Sequence, residues 1–254
     1  MNEKAIAIIQ KLKEKGYKAY LCGGCVRDLL LNRKPKDYDI VTSASPSEIQ
    51  KIFKRTVAVG AKFGVIKILY ENYEFEVATF RKDGEYKDGR RPETICFSDE
   101  KEDALRRDFT VNGIFLDTSD NKIVDYVEGE KDIKLKLIRT IGKPKDRFAE
   151  DNLRLMRAIR FSSQLNFKIE SKTWEAIVSM ANLIKNVSSE RIRDELFNML
   201  LSPLPGKSIF LLHKSGILSY ILPEIMDYFE NNIYKILTMF EIGAPIKSAE
   251  LSFL

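Results

Sequence analysis

Residues Tyr20–Thr42 read YLCGGCVRDLLLNRKPKDYDIVT, and this stretch decides the fold. Ala19–Cys22 is an apolar run of strand length. Gly23-Gly24 is a turn signal, and glycine lets backbone amides approach a ligand without a Cβ in the way. Val26–Leu31 has helical character, so the turn would sit at a helix N-terminus, where phosphate is favoured. A loop then leads to a second strand carrying Asp37 and Asp39. Residues two apart in a strand share a face, so both carboxylates are expected to project together. A pair of carboxylates on a divalent metal beside a phosphate cradle is what metal-assisted nucleotidyl transfer requires. A lone GG is usually only a turn, and a lone DxD only a solvated loop; it is their order and closeness here that favours chemistry.

Outward from this core, residues 2–15 form an amphipathic helix with Ile6, Ile9 and Leu12 on its apolar stripe, ended by Gly16. Ser45-Pro46-Ser47-Glu48 carries a capping-box pattern opening a helix over Ser47–Phe53. Gly64–Tyr70 and Tyr73–Phe80 read as a hairpin turning at Glu71-Asn72. Alternation puts Glu76 on a face where it is either a third active-site carboxylate or an exposed edge residue. Residues 81–103 read as a long charged loop containing Arg81, Lys82, Lys87, Arg90 and Arg91, either plain surface or an active-site lid or arm touching nucleic acid. Asp103–Asn112 begins a helix with Arg106, Arg107 and Asp108 in its early part. Short strands follow at Ile114–Leu116, Ile123–Asp125 and Leu137–Thr140. Strands alternate with helices up to about residue 142, and Pro144 marks a boundary. Helices are expected over Phe148–Gln164, Thr173–Ile184, Arg191–Leu201, Lys207–Ser215, Ile221–Phe229 and Ile233–Phe240.

The segment Glu150–Phe161, EDNLRLMRAIRF, spaces Asp151, Arg154, Arg157 and Arg160 by threes. On a helix these make one polar stripe beside the apolar Leu153, Met156 and Ile159. Most such stripes are solvated faces with ion pairs. The chemical alternative is specific. A carboxylate accepts from the exocyclic amine of cytosine or adenine, and a guanidinium donates to their ring nitrogen. Asp151 with Arg154 could thus imitate a pairing partner for C and A, while uracil and guanine present a carbonyl that a carboxylate repels. Arg157 and Arg160 remain for phosphate or for orienting Asp151.

The 254 residues suffice for one large or two ordinary domains, and a 44% hydrophobic, 31% charged composition fits a globular protein. No apolar run approaches the ~18 residues of a membrane span, and the N-terminus lacks the pattern of a secretory signal. Cys22, Cys25 and Cys96 cannot all pair and do not complete a zinc site; they read as reduced cysteines in a cytoplasmic protein. The formal charge of +5 is weak evidence for a polyanionic partner. One histidine, His213, leaves acid–base and metal chemistry to carboxylates.

Taken in order, GGCVRD with DYD, RRDFTVN, Asp125–Gly129, EDNLRLMRAIRF and SSERIRDEL resemble the motifs of the class II tRNA nucleotidyltransferases, the CCA-adding enzymes of the polymerase-beta-like superfamily. The likeness spans about residues 17–200. It implies an α+β fold: a nucleotidyltransferase head with a small mixed sheet flanked by helices (1–142), an all-α nucleotide-selecting neck (143–230), and the start of a truncated helical body domain (231–254). It implies that Asp37 and Asp39 hold two Mg2+ ions, and that Gly23, Gly24 and Arg27 meet the incoming nucleotide. Arg107, Asp108 and Asn112 would serve phosphate and ribose. Asp151 and Arg154 would select C and then A, supported by Arg157 and Arg160. The implied reaction adds C and A from CTP and ATP to the tRNA 3′ end, releasing pyrophosphate. A-only addition or bacterial poly(A) polymerase activity is the nearest rival, and a catalytically silent nucleotide- or RNA-binding module is the alternative of another class. Gly113 replaces the usual alanine, and the third motif has one glycine, Gly129, where two are common.

Overall fold

The first helix, α1 (Glu3–Glu14), is capped by Asn2, whose side chain accepts from the Lys4 amide at 3.0 Å, and it is ended by Gly16 at φ 86°. Its buried stripe is Ala5, Ile8, Ile9 and Leu12, one step round from the expected Ile6 face. A computed structural model describes residues 2–60, 63–86, 89 and 92–242. These fall into two units, Met1–Glu85 with Pro92–Lys134, and Tyr86–Arg91 with Leu135–Leu254.

In the first unit, β1 (Ala19–Cys22), α2 (Gly24–Leu30), β2 (Asp39–Thr42) and α3 (Pro46–Ile52) follow in the predicted order. The capping box of α3 is formed: Ser45 accepts from the Glu48 amide, and the Glu48 carboxylate accepts from the Ser45 amide at 2.7 Å. Next come β3 (Thr56–Gly60), β4 (Val65–Tyr70) and β5 (Tyr73–Thr79). The β4–β5 hairpin turns at Glu71, with φ 53°, and closes on the pair Tyr70 and Tyr73. After β6 (Arg81–Asp83), β7 (Ile95–Phe97) and α4 (Glu100–Leu105), the unit ends with β8 (Ile114–Asp117), β9 (Lys122–Asp125) and most of α5 (Gly129–Leu135). Seven strands form one sheet in the order β3-β4-β5-β2-β1-β8-β9, with β2 and β5 parallel and the other pairs antiparallel. One face buries Leu21, Ile40, Val77 and Ile66 in register beneath α1. The other packs Cys22, Val41, Phe80, Ala104 and Phe115, with Phe80 edge-on to Phe115 at 6.3 Å. β1 and β2 are covered on both faces, which fixes their register and the position of whatever lies at their ends.

Three expectations change here. Residues 81–103 do not form one loop. β6 pairs with β7 from Arg81–Phe97 to Asp83–Ile95, and α4 begins at Glu100, capped by Asp99 and acidic in its first turn. Lys87, Arg90 and Arg91 lie outside the described residues. Second, Arg106, Arg107 and Asp108 follow a helix rather than open one. Asp108 Oδ1 accepts from the Phe109 amide at 2.8 Å, and such local side-chain bonding competes with a continuing helix. Buried Phe109 is extended, and a 3-10 turn over Thr110–Asn112 follows. Third, β2 begins at Asp39, so Asp37 precedes the strand.

In the second unit, β10 (Leu137–Ile138) pairs in parallel with β11 (Lys168–Ile169), and the remainder is helical. The expected helix over Phe148–Gln164 is two helices, α6 (Pro144–Glu150) and α7 (Arg154–Leu165). Asp151 between them is extended at φ −140°, ψ 105°. Its carboxylate accepts from the Leu153 amide at 3.1 Å, and Asn152 donates to the Phe148 carbonyl at 2.7 Å. These local bonds satisfy the open helix ends and make the break. α7 ends at left-handed Asn166, where Lys207 Nζ donates to the carbonyls of Ser162 (3.0 Å) and Phe167 (2.8 Å).

α8 (Ser171–Ser179) passes into a 3-10 turn over Ala181–Asn186, so the expected Thr173–Ile184 helix is shorter than predicted. α9 (Ser189–Leu200) and α10 (Pro205–Lys214) lie within two residues of their predicted ends. α11 (Ile217–Ile221) precedes α12 (Met226–Ile242), which is kinked at Asn232 between the two helices expected there. Residues 243–254 lie outside the described residues. Among the described residues, no helix is long and apolar enough to cross a membrane.

Candidate active site

The sheet register lines up the site. Phe115 pairs with Cys22, and Cys22 with Asp39. Ile40 pairs with Val77 in the parallel ladder, so one step back sets Asp39 beside Glu76, and Glu76 pairs with Lys67. One row therefore runs Phe115, Cys22, Asp39, Glu76, Lys67 across five strands. It changes from apolar to charged where the sheet opens into a cleft of about 690 Å³, lined by Lys36, Asp37, Asp39, Lys67, Tyr73 and Glu76. Glu76 thus shares the Asp39 face.

The Asp39 carboxyl is held above its ordinary pKa, first by desolvation, then by repulsion from Glu76 and Asp37, against the pull of Arg107. A cation would relieve that repulsion. The donors around it are carboxylate oxygens, the set that suits Mg2+, which is held by one or two carboxylates plus substrate phosphates rather than by a closed protein cage. Among the described residues, no group of three or more His, Cys, Asp or Glu side chains is placed to hold a metal ion.

Beside Asp39 lies the glycine turn. Gly23 adopts φ 71°, a conformation that L side chains rarely take, and a Cβ there would stand 3.1 Å from Arg107 Nη1. Glycine is needed both for the turn and for the approach of the guanidinium. Arg107 donates from Nε and Nη2 to Asp103 at 3.2 and 3.0 Å and packs over Phe115 at 5.2 Å. Burial opposes its charge and the Asp103 carboxylate supports it, and on balance its pKa is raised.

Arg27 is placed differently from an exposed phosphate ligand. It is buried, bonded to Asp28 at 2.9 Å and to Asn112 Oδ1 at 2.7 Å. Asn112 in turn donates to Asp108 at 3.2 Å. Asp28, Arg27, Asn112 and Asp108 form a chain of bonds that fixes α2 against the turn after α4. Burial pushes the thiols of Cys22 and Cys25 up to about 12 and about 11, so neither supplies a thiolate.

The second cluster belongs to the helical unit and centres on the break between α6 and α7. Asp151 is not on the helix that carries Arg154, Arg157 and Arg160; it stands just before it. Arg191 from α9 donates through Nη2 to both Asp151 oxygens, at 3.2 and 2.9 Å. Arg154 donates through Nη1 to Glu150 at 2.5 Å and to the Arg147 carbonyl at 2.9 Å. Its Nε and Nη2 make no hydrogen bond among the described residues, so that edge can read a ligand. Arg160 is engaged elsewhere, with Glu195 at 2.5 Å and Gln164 at 2.8 Å, and stacks on Phe161 at 4.1 Å. Arg157 also lies over Phe161, at 5.2 Å. Asp151 is thus held by Arg191, a residue outside the stripe of Arg154, Arg157 and Arg160. Arg191 lies in the quoted SSERIRDEL segment, but nothing local to that segment points at a residue 40 positions earlier.

An open mixed sheet with a glycine turn, a carboxylate row and a clamped guanidinium defines a nucleotidyltransferase head, and a helical neck follows it in the chain. Comparison with known proteins agrees. Residues 19–139 match the family model described as the poly A polymerase head domain, and residues 166–229 match the probable RNA and SrmB-binding site of polymerase A. The CCA-adding enzyme of Lactobacillus johnsonii is 44% identical over 214 residues, 84% of this chain and 54% of that protein. That of Geobacillus thermodenitrificans is 44% identical over 220 residues, 86% of this chain and 54% of that protein. The crystal structure of the Bacillus stearothermophilus CCA-adding enzyme in complex with CTP superposes with a TM-score of 0.78 at 40% identity, covering 85% of this chain and 52% of that one. The chain belongs to the class II tRNA nucleotidyltransferase family. It spans about half the length of the curated relatives it matches.

Proposed function

We propose that this protein extends the 3′ end of tRNA without a nucleic-acid template, adding C, C and A from CTP and ATP and releasing pyrophosphate, in the cytoplasm. The observation that carries the chemistry is the register of Asp39 with Glu76, next to Asp37, the Gly23 turn and Arg107. The relatives named CCA-adding enzyme carry the choice of substrate.

Asp37 and Asp39 would hold Mg2+, with Glu76 adding negative charge to the same cleft. Bound there, Mg2+ supplies charge against the triphosphate and lowers the pKa of the attacking 3′ hydroxyl. Arg107 contributes a permanent cation beside the glycine turn for the phosphates, and Gly23 and Gly24 leave their backbone open to them. Asp108 and Asn112 lie on the same turn, tied back to Arg27, and are assigned to the sugar side of the nucleotide. Attack by the tRNA hydroxyl on the α-phosphate is favoured by fixed positioning and electrostatics rather than by a protein nucleophile. In the helical unit, Asp151 accepts from the amine of cytosine or adenine and the Nε/Nη2 edge of Arg154 donates to the ring, with Arg157 and Arg160 supporting the helix that carries Arg154.

Asp39→Ala is expected to abolish incorporation while CTP binding, followed by calorimetry, survives within a few-fold. An active Asp39→Ala protein would remove the catalytic assignment. Binding without Mg2+-dependent transfer in the wild type would instead favour a silent nucleotide-binding module.

A further inference from the structure

Asp103 has no solvent-exposed surface, and both of its oxygens are occupied. Oδ2 accepts from Arg107 Nε and Nη2 at 3.2 and 3.0 Å. Oδ1 accepts from Arg106 Nε and Nη2 at 2.9 and 2.7 Å and from the Arg81 amide at 3.3 Å. A buried carboxylate is costly unless it is paired in this way. The arrangement immobilises Arg107 from three sides: Asp103 holds Nε and Nη2, the Asn112 carbonyl accepts from Nη1 at 3.4 Å, and the missing Cβ of Gly23 leaves room at 3.1 Å. The planar fork of arginine has little freedom left once two of its nitrogens are anchored on one oxygen.

The same carboxylate reaches further. Arg106 also lies 3.8 Å from Asp83, Asp83 accepts from Arg81 Nε at 2.9 Å, and Arg81 donates to the Phe63 carbonyl. Asp103 therefore sits between the site cation and the root of the β6–β7 pair.

We propose that Asp103 is a positioning residue that acts on nucleotidyl transfer solely through Arg107, by fixing its guanidinium against the Gly23 turn. This rests on the reading of Arg107 as the phosphate contact. The neighbouring possibility is that Asp103 merely neutralises two arginines to hold α4 in place. In that case its loss would lower activity regardless of what occupies position 107.

A double-mutant cycle separates the two. Steady-state kcat and KM for CTP, with thermal midpoints, are measured for wild type, Asp103→Asn, Arg107→Gln and the double variant. Asp103→Asn is expected to lower kcat/KM by about 100-fold, mostly in kcat, because a contact displaced by ~1 Å costs that order. In the Arg107→Gln background the same change should add less than about twofold, the margin of ordinary additivity. Equal fold losses in both backgrounds, or full activity in Asp103→Asn, overturn the proposal. Full activity in Arg107→Gln alone overturns the phosphate reading instead, so the two failures are distinguishable. If Asp103→Asn does not fold, Asp103→Glu keeps the charge but displaces the guanidinium by one methylene, and the same cycle applies.

Discussion

Replacing Asp151 by asparagine tests base selection with a change of one heavy atom's identity. A carboxylate offers about four lone-pair directions. In Asp151 three are taken: the Leu153 amide and Arg191 Nη2 on Oδ1, and Arg191 Nη2 again on Oδ2. One acceptor position on Oδ2 remains for a base. In Asp151→Asn, Arg191 can only donate, so it retains the amide oxygen and turns the NH2 toward the base. An acceptor site for the amine of C or A becomes a donor site, matched to the carbonyl of U or G. A well-placed base contact is worth about 1–3 kcal/mol, or about 5- to 150-fold in the ratio of kcat/KM values. The assay is single-nucleotide incorporation into tRNA lacking its 3′ CCA, with CTP, ATP, UTP and GTP compared separately. The CTP/UTP preference should fall by that factor, through both loss of CTP use and gain of UTP use. An unchanged preference in a variant that still incorporates CTP would refute the Asp151 template.

Arg191→Gln should show part of the same loss of preference, since it frees the Asp151 carboxylate without altering it; full selectivity there would break the link between the two residues. Asp39→Asn should raise the thermal midpoint at neutral pH while abolishing transfer. A carboxyl whose pKa is raised in the fold loses stability as pH rises through that value, and the neutral amide escapes this; Mg2+ should raise the wild-type midpoint and not that of the variant, as differential scanning fluorimetry would show. Asp103 has the opposite sign. Burial opposes its ionisation, yet Arg107 and Arg106 hold its pKa below the usual value, so its contribution is present above about pH 4 and lost as pH falls through the lower folded value. Wild type and Asp103→Asn should therefore differ in stability at pH 7 and converge in acid, in urea titrations at several pH values. Gly129→Ala should cost about 1–3 kcal/mol by overpacking, because its Cβ would overlap the Thr110 carbonyl oxygen and come 2.6 Å from Ile114 Cγ2; each kcal/mol lowers the midpoint by about 2–4 °C.

What was legible in the sequence was what is encoded locally. The capping box of Ser45 and Glu48, the glycine turn and the Glu71 hairpin each depend on a few adjacent residues, and each formed. Period-two alternation left Glu76 as either a third active-site carboxylate or an exposed edge residue, and only the β2–β5 register could show that it stands beside Asp39. The break at Asp151 was hidden because the apolar spacing of Phe148–Gln164 continues through it. The interruption comes from side chains bonding to backbone, and from an arginine 40 residues later. Arg107 looked like an early-helix residue since nothing in DALRRDFTVN announces that Asp103 is buried. The burial of Arg27 was not legible either, because its partner Asn112 is 85 residues away. The single glycine of the third motif has a plain reason: Gly129 lies against the Thr110 backbone with no room for a side chain.

CCA addition is the proposed activity of this protein. Its most direct test offers the protein three tRNA substrates, ending at the discriminator base, at its first C and at its second C, each with one labelled nucleotide and Mg2+. C on the first two, A only on the third, and no product from UTP or GTP are expected. Incorporation of A alone on every substrate, a growing A tail, or no Mg2+-dependent product at all would contradict it.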